Sequence, residues 1–338
     1  MLGLAPAGSG KPMGTGIGAA AETRGLRFGT AVRADRLDDL ALRAATVADS
    51  AWITPEIDFK WDALQPGRER WDWGRGDAVA SFAAAHGKGL RGHTLLWEQS
   101  TPPWARHALK HGQGWQAIEP WFAGVLGRYG AQASEWDVVN EAIDTEHGTN
   151  DLRRTVFRRA LGEGYVAEAF RLAREHAPKT RLILNDYGFE YGNPVDRARR
   201  LAFLRLAARL KGAGVPIDGV GLQAHLDLGK GPLDTAGIAE MIREVAAMEL
   251  SVTITELDVR EADRSGALAT RDRAVADEVR RYLDAVLAEP GVTGVVTWGL
   301  TDRDSWLQDR PGPMNRGLPL DAALRPKPIY WTLRDAFA

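Results

Sequence analysis

Two glutamates stand out by where they sit. Glu141 closes WDVVNE (136–141) and Glu256 lies in TITELDV (253–259), each at the end of a short apolar, β-branched run. An unpaired carboxylate buried in a core is very costly, so a strand that ends in one must open onto something that uses it. Two carboxylates brought together can act on an acetal, one protonating the leaving oxygen while the other attacks the sugar carbon or activates water. The residues at neighbouring strand ends suit that chemistry. Asn140, Asn185 and Gln223 carry amides that read hydroxyls, and Trp97, Trp298 and Trp306 offer flat apolar faces for sugar rings. Side chains alternate along a strand, so Ile254, Glu256 and Asp258 face one side while Thr255 and Leu257 face the other. His225, from the preceding strand, is expected beside Glu256 and Asp258, where it can orient the reacting carboxylate and adjust its charge.

The elements that must position these groups recur eight times. Candidate strands are LRFGTAV (26–32), SAWITPE (50–56), GLRGHTLLW (89–97), SEWDVVNE (134–141), RLILNDY (181–187), DGVGLQAHL (218–226), SVTITELDV (251–259) and GVVTWGL (294–300). Most are continuous apolar runs, the pattern of strands covered on both faces. Helical patterns lie between them. The clearest is VDRARRLAFLRLAARLKGAG, with Leu201, Phe203 and Leu204 on an apolar face and its arginines expected on a solvated one. Eight strands alternating with helices predict an α/β fold, a single (β/α)8 TIM barrel over residues 26–338, preceded by a flexible tail over residues 1–25. In such a barrel the loops after the strands build the site. Glu56, Lys60, His93 and Tyr187 join the residues above at that end, and the opposite loops carry nothing comparable.

Composition narrows the function classes. The 338 residues carry a net charge of -2 with mixed signs throughout, which argues against a nucleic-acid partner. No cysteine is present, so disulfides, thiol nucleophiles and cysteine-held metals are excluded. No stretch approaches the roughly 18 apolar residues of a membrane span, and the first 25 residues lack the pattern of a signal peptide. Two phosphate-loop spacings fail on context. Gly87–Gly92 leads into a strand rather than a helix, and Gly10-Lys11 is followed by Pro12 with Ala5 where the loop needs its first glycine.

The chain resembles glycoside hydrolase family 10, the family of retaining endo-β-1,4-xylanases. The resemblance is carried in order by TPEIDFKWDALQP, LRGHTLLW, WDVVNEA, LILNDY, IDGVGLQAHL, TITELDV, TWGLTDRDSW and RPKPIY. It implies that Glu141 is the general acid/base and Glu256 the nucleophile, with Asn140 on the sugar's 2-hydroxyl and His225 and Asp258 supporting the nucleophile. It implies that His93, Trp97, Asn185, Tyr187, Gln223, Trp298 and Trp306 line the sugar cleft, and that Glu56 and Lys60 bind one unit further towards the non-reducing end. It further implies a polysaccharide or oligosaccharide substrate, no cofactor or metal, a monomer, and a periplasmic or secreted location. Retaining chemistry would give Glu141 a raised pKa and leave Glu256 ionised.

Three positions depart from the family pattern. Ile57 stands where Asn is usual, Glu98 where His is usual, and Ser100 where Gln is common. Glu98 is expected in the cleft, where it replaces a neutral donor with an anion. Each lost buried hydrogen bond costs about 1–3 kcal/mol, roughly a factor of 5 to 150 in binding. The chain is therefore expected to cleave xylan, with a differently decorated or non-xylan β-glycan as the alternative. A non-catalytic carbohydrate-binding barrel is the reading from another class, and it leaves a matched acid and nucleophile without a use.

Overall fold

The computed structural model describes residues 16–308 and 310–338. Its strands are β1 (Arg27–Val32), β2 (Trp52–Pro55), β3 (Gly89–Leu96), β4 (Ala133–Asn140), β5 (Arg181–Asp186), β6 (Gly219–Leu222), β7 (His225–Asp227), β8 (Ser251–Arg260) and β9 (Val292–Thr297). All pairings among them are parallel. The sheet runs β1 to β6 in sequence, then β6 pairs with β8, β8 with β9, and β9 with β1. Eight strands thus close into a parallel barrel ringed by helices, a single (β/α)8 TIM barrel.

Both faces of the strands are buried, as their apolar composition requires: β1, β5 and β8 are buried along almost their whole length. Glycines open room inside the barrel. A Cβ on Gly92 would fall 2.0 Å from the ring of Trp136, and one on Gly221 would fall 2.1 Å from Asn185 Oδ1. The first space admits a core indole and the second admits an amide that belongs to the site. Lower in the barrel, Arg91 is fully buried between Glu135 and Asp137, with Nε 2.6 Å from Glu135 Oε1 and Nη1 2.7 Å from Asp137 Oδ2. Removing one partner of such a group would strand a buried charge.

Three sequence expectations change here. The expected single sixth strand breaks at Gln223 and Ala224; Ala224 takes a left-handed φ of 59°, and β7 resumes along the end of β8. The tail expected over residues 1–25 is too long. Ile17–Thr23 form a helix whose Ile17 and Ala21 are fully buried, and the Ile17 N–H donates to Asp49 Oδ1 at 3.2 Å. Residues 1–15, including Gly10 and Lys11, lie outside the described residues.

The third correction concerns the helix Pro194–Gly212, started by Asn193, whose side chain accepts the Asp196 N–H. Arg197, Arg205 and Arg209 are exposed, but Arg199 and Arg200 are buried and Leu201 is exposed. The rotation has a cause. Arg199 reaches Asp186 at 2.6 Å and the Tyr187 carbonyl at 2.8 Å, while Arg200 bonds the Phe189 carbonyl and Asp234. This helix therefore braces the loops after β5 and β7.

Candidate active site

A cavity of about 480 Å³ opens at the C-terminal ends of the strands. Glu141 and Glu256 both line it, one following β4 and the other within β8. Glu256 is only 4% exposed, yet both oxygens are satisfied: Oε1 accepts from Asn185 Nδ2 at 2.8 Å, and Oε2 lies 3.2 Å from His225 Nε2. His225 Nδ1 sits 2.8 Å from Asp258 Oδ1, and the indole N–H of Trp306 donates to Asp258 Oδ2 at 2.7 Å. One imidazole is held between two carboxylates, and a tryptophan fixes the outer one.

The amides form a second chain. Thr255 donates to Asn185 Oδ1 at 2.7 Å, which leaves the Asn185 NH2 to serve Asn140 Oδ1 and Glu256 Oε1, each at 2.8 Å. Gln223 Nε2 donates to the same Asn140 oxygen at 3.2 Å. With its carbonyl doubly occupied, Asn140 keeps its NH2 for the cavity side. The bonding partners set this amide's orientation.

Glu141 sits differently. Its φ is 60°, a left-handed conformation that costs an L-residue roughly 1–2 kcal/mol. Its N–H donates to the Asn185 carbonyl at 2.9 Å, and its own carbonyl accepts from Arg153 Nε at 2.9 Å. Among the described residues the carboxylate has one contact, a long one with Asn140 Nδ2 at 3.5 Å. The backbone is clamped while the carboxyl faces the opening.

Glu56, Lys60, His93, Trp97, Tyr187, Gln223, Trp298 and Trp306 line the cavity, as do Asn140, His225 and Asp258. Lys60 Nζ lies 4.6 Å from the centre of the Trp97 ring, and Trp298 meets His93 edge-on at 5.1 Å. His93 Nδ1 lies 2.8 Å from Asp137 Oδ2, so the buried Arg91 cluster reaches up to the cavity floor.

Two expected residues are elsewhere. Asn185 is fully buried behind Asn140 and Glu256 and does not line the cavity. Glu98 also turns away: Oε1 accepts from Arg106 at 2.6 Å and Oε2 from the Val156 N–H at 2.7 Å. The anion that stands in place of the usual histidine is a brace between two loops. Ser100 is buried, and its hydroxyl has no hydrogen-bond partner among the described residues. Ile57 does line the cavity, and so do Gln99, Lys230 and Arg260, which sequence reasoning missed. Arg260 was findable, because the alternation through Glu256 and Asp258 reaches it two residues later.

The family profile for Glycosyl hydrolase family 10 matches residues 16–336. The chain belongs to glycosyl hydrolase family 10. Among its family 10 relatives, endo-1,4-beta-xylanase 3 of Hypocrea jecorina is 35% identical over 305 residues, 90% of this chain and 80% of that protein. Endo-1,4-beta-xylanase 1 of Gibberella zeae is 33% identical over 326 residues, 94% of this chain and 89% of that one. Among solved structures, xylanase 10B from Thermotoga petrophila in complex with xylobiose superposes with a TM-score of 0.86 at 27% identity, covering 97% of this chain and 98% of that one. The protein is a glycoside hydrolase.

Charge in this family 10 site is tightly organised. Burial pushes Glu256 up, but the His225 hydrogen bond and the charges of His93, His225 and Lys60 outweigh it and hold Glu256 at about 2. Burial would lower His225, yet Asp258 and Glu256 raise it to about 10, so the imidazole is cationic at neutral pH. Burial also lowers Lys60, against the opposing pull of Glu256 and Glu56. Burial pushes Glu56 up to about 7, with Arg33 and Lys60 opposing.

The signs give opposite pH windows for stability. The contribution of Glu256 is present above its usual 4.5 and is lost as pH falls towards about 2. That of His225 is present below its usual 6.5 and is lost as pH rises through about 10. Replacing the cation with a neutral amide, His225→Gln, should let Glu256 take up a proton at higher pH. The acid limb of the kcat/KM profile is then expected to move upward in pH; an acid limb that stays at the parent position contradicts this role for His225.

Proposed function

We propose that this family 10 enzyme is a retaining endo-β-1,4-xylanase in which Glu256 is the nucleophile and Glu141 the general acid/base. The observation that carries the reading is the state of Glu256: a buried carboxylate kept ionised by His225 and Asn185 at the cavity wall. A binding barrel would gain nothing from holding an anion there against desolvation.

The chemistry follows in two displacements. Glu256 attacks the anomeric carbon while the Glu141 carboxyl gives its proton to the departing glycosidic oxygen. The carbon–oxygen bond breaks, and an ester to Glu256 forms with inversion. Water then enters, Glu141 takes its proton, and the water oxygen displaces the Glu256 carboxylate with a second inversion. Configuration is retained overall. The Asn140 NH2 faces the 2-hydroxyl, Gln223 and His93 hold the same ring, and Trp298 and Trp306 cover its faces. Tyr187 is joined through Arg153 to the backbone of Glu141, so it belongs on the acid's side, where the leaving unit departs, with Glu56 and Lys60 one unit away on the other. The reaction calls for no cofactor or metal, and the chain acts as a monomer on a polysaccharide or oligosaccharide.

Ile57 and Ser100 bear on the substrate. An aliphatic side chain beside Glu56 offers no hydrogen bond to a hydroxyl, and Ser100 is too buried to supply one. This end of the cleft grips an undecorated xylose unit weakly, which supports some selection for decorated chains. Among the described residues no helix is long and apolar enough to cross a membrane.

Glu256→Ala should abolish xylan hydrolysis, and added azide should restore turnover of an activated aryl glycoside with an azide product of inverted configuration. Near-parental turnover in this variant rejects the assignment. Ile57→Asn should raise kcat/KM on unbranched xylo-oligosaccharides by about 2- to 12-fold, the worth of one neutral hydrogen bond. An unchanged or lower value would show that position 57 does not limit binding of the plain chain.

A further inference from the structure

We propose that Arg153 is a positioning residue that sets Glu141 for proton transfer and ties that setting to the wall that receives the leaving group. The inference rests on the reading of Glu141 as the acid/base.

Three observations carry it. First, Glu141 occupies a left-handed backbone conformation without being glycine, so its surroundings must hold it there. Its N–H is held by β5, through the Asn185 carbonyl, and its carbonyl by Arg153 Nε at 2.9 Å. Second, among the described residues the carboxyl has little of its own to hold it, the 3.5 Å contact to Asn140. The direction in which this acid points is therefore decided by its backbone. Third, the same guanidinium extends in two other directions. Nη2 donates to the Tyr187 hydroxyl at 2.9 Å and to the Ile143 carbonyl at 3.3 Å. The Arg153 N–H also bonds the Ala142 carbonyl at 2.8 Å, so the chain returning from the loop after β4 lies directly against the residues that follow Glu141.

Arg153 does not line the cavity, while Tyr187 does. A planar, permanently charged fork suits such a role, because it spans a carbonyl on one side and a phenol on the other with fixed geometry. Lysine could reach one of them, not both. Arg199 also lies against Tyr187, 4.2 Å from the ring centre, and donates to the same Ile143 carbonyl as Arg153, so two cations converge beside the phenol. A leaving sugar that presses on Tyr187 therefore bears, through Arg153, on the residue that must protonate it.

The test separates acid positioning from general stabilisation by varying the need for acid. A dinitrophenyl β-xylobioside leaves without protonation, whereas a xylo-oligosaccharide does not. Active sites are counted by the burst of dinitrophenol from a 2-fluoro analogue, so misfolded protein does not enter the rates. Arg153→Gln is expected to lower kcat/KM at least tenfold more on the oligosaccharide than on the dinitrophenyl substrate, and Arg153→Lys to fall between it and the parent. Equal losses on both substrates, or no loss on either, overturn the proposal. Glu141→Ala, measured alongside, must show the same discrimination more strongly. If it does not, the reading of Glu141 itself fails; if it does while Arg153→Gln does not, only the positioning role fails.

Discussion

Everything at the mouth of this barrel answers to one constraint: a carboxylate 4% exposed must remain an anion. Burial alone would protonate it, since removing a charge from water is costly. Glu256 is kept ionised by the hydrogen bond and charge of His225, by the nearby ammonium of Lys60, and by the amide of Asn185. Each helper needs its own support. His225 stays cationic because Asp258 holds its other nitrogen, and Asp258 keeps its place because Trp306 donates to it. Asn185 points its NH2 at Glu256 because Thr255 occupies its oxygen and because Gly221 leaves space.

The contrast between the two glutamates is the chemical content of the site. Glu256 is fixed by its side chain and Glu141 by its backbone, through a strained φ and bonds to both of its peptide groups. A nucleophile gains from being locked in place with its charge maintained. A group that gives and then takes a proton needs its carboxyl free. The proposed roles fit the different neighbours of the two residues: Glu256 lies within β8 beside the polar start of β7, and Glu141 follows β4 ahead of a loop that folds back through Arg153.

Much of this was legible in the sequence because strand ends announce themselves. An apolar run that stops at Asn140-Glu141, or alternates through Glu256 and Asp258, leaves few places for those groups except a shared opening. What could not be read depended on partners remote in the chain. Glu98 resembles a cleft residue until its bond to the Val156 N–H, 58 positions on, is seen. Arg199 and Arg200 pass for a solvated face because nothing nearby reveals Asp186 and Asp234 as their partners. The burial of Ile17, likewise, depends on Asp49, in a helix 32 residues later. Ala224 gave no sign of a strand break, since alanine has no preference for the left-handed region that it occupies here.

The central claim is that Glu256 and Glu141 act in a double displacement, and the configuration of the first product tests it most directly. Proton NMR of a xylo-oligosaccharide digest, followed before mutarotation equalises the anomers, reads that configuration. A double displacement predicts that the β-anomer accumulates first and the α-anomer grows in only later. Initial release of the α-anomer would mean a single displacement by water, and would contradict the role given to Glu256.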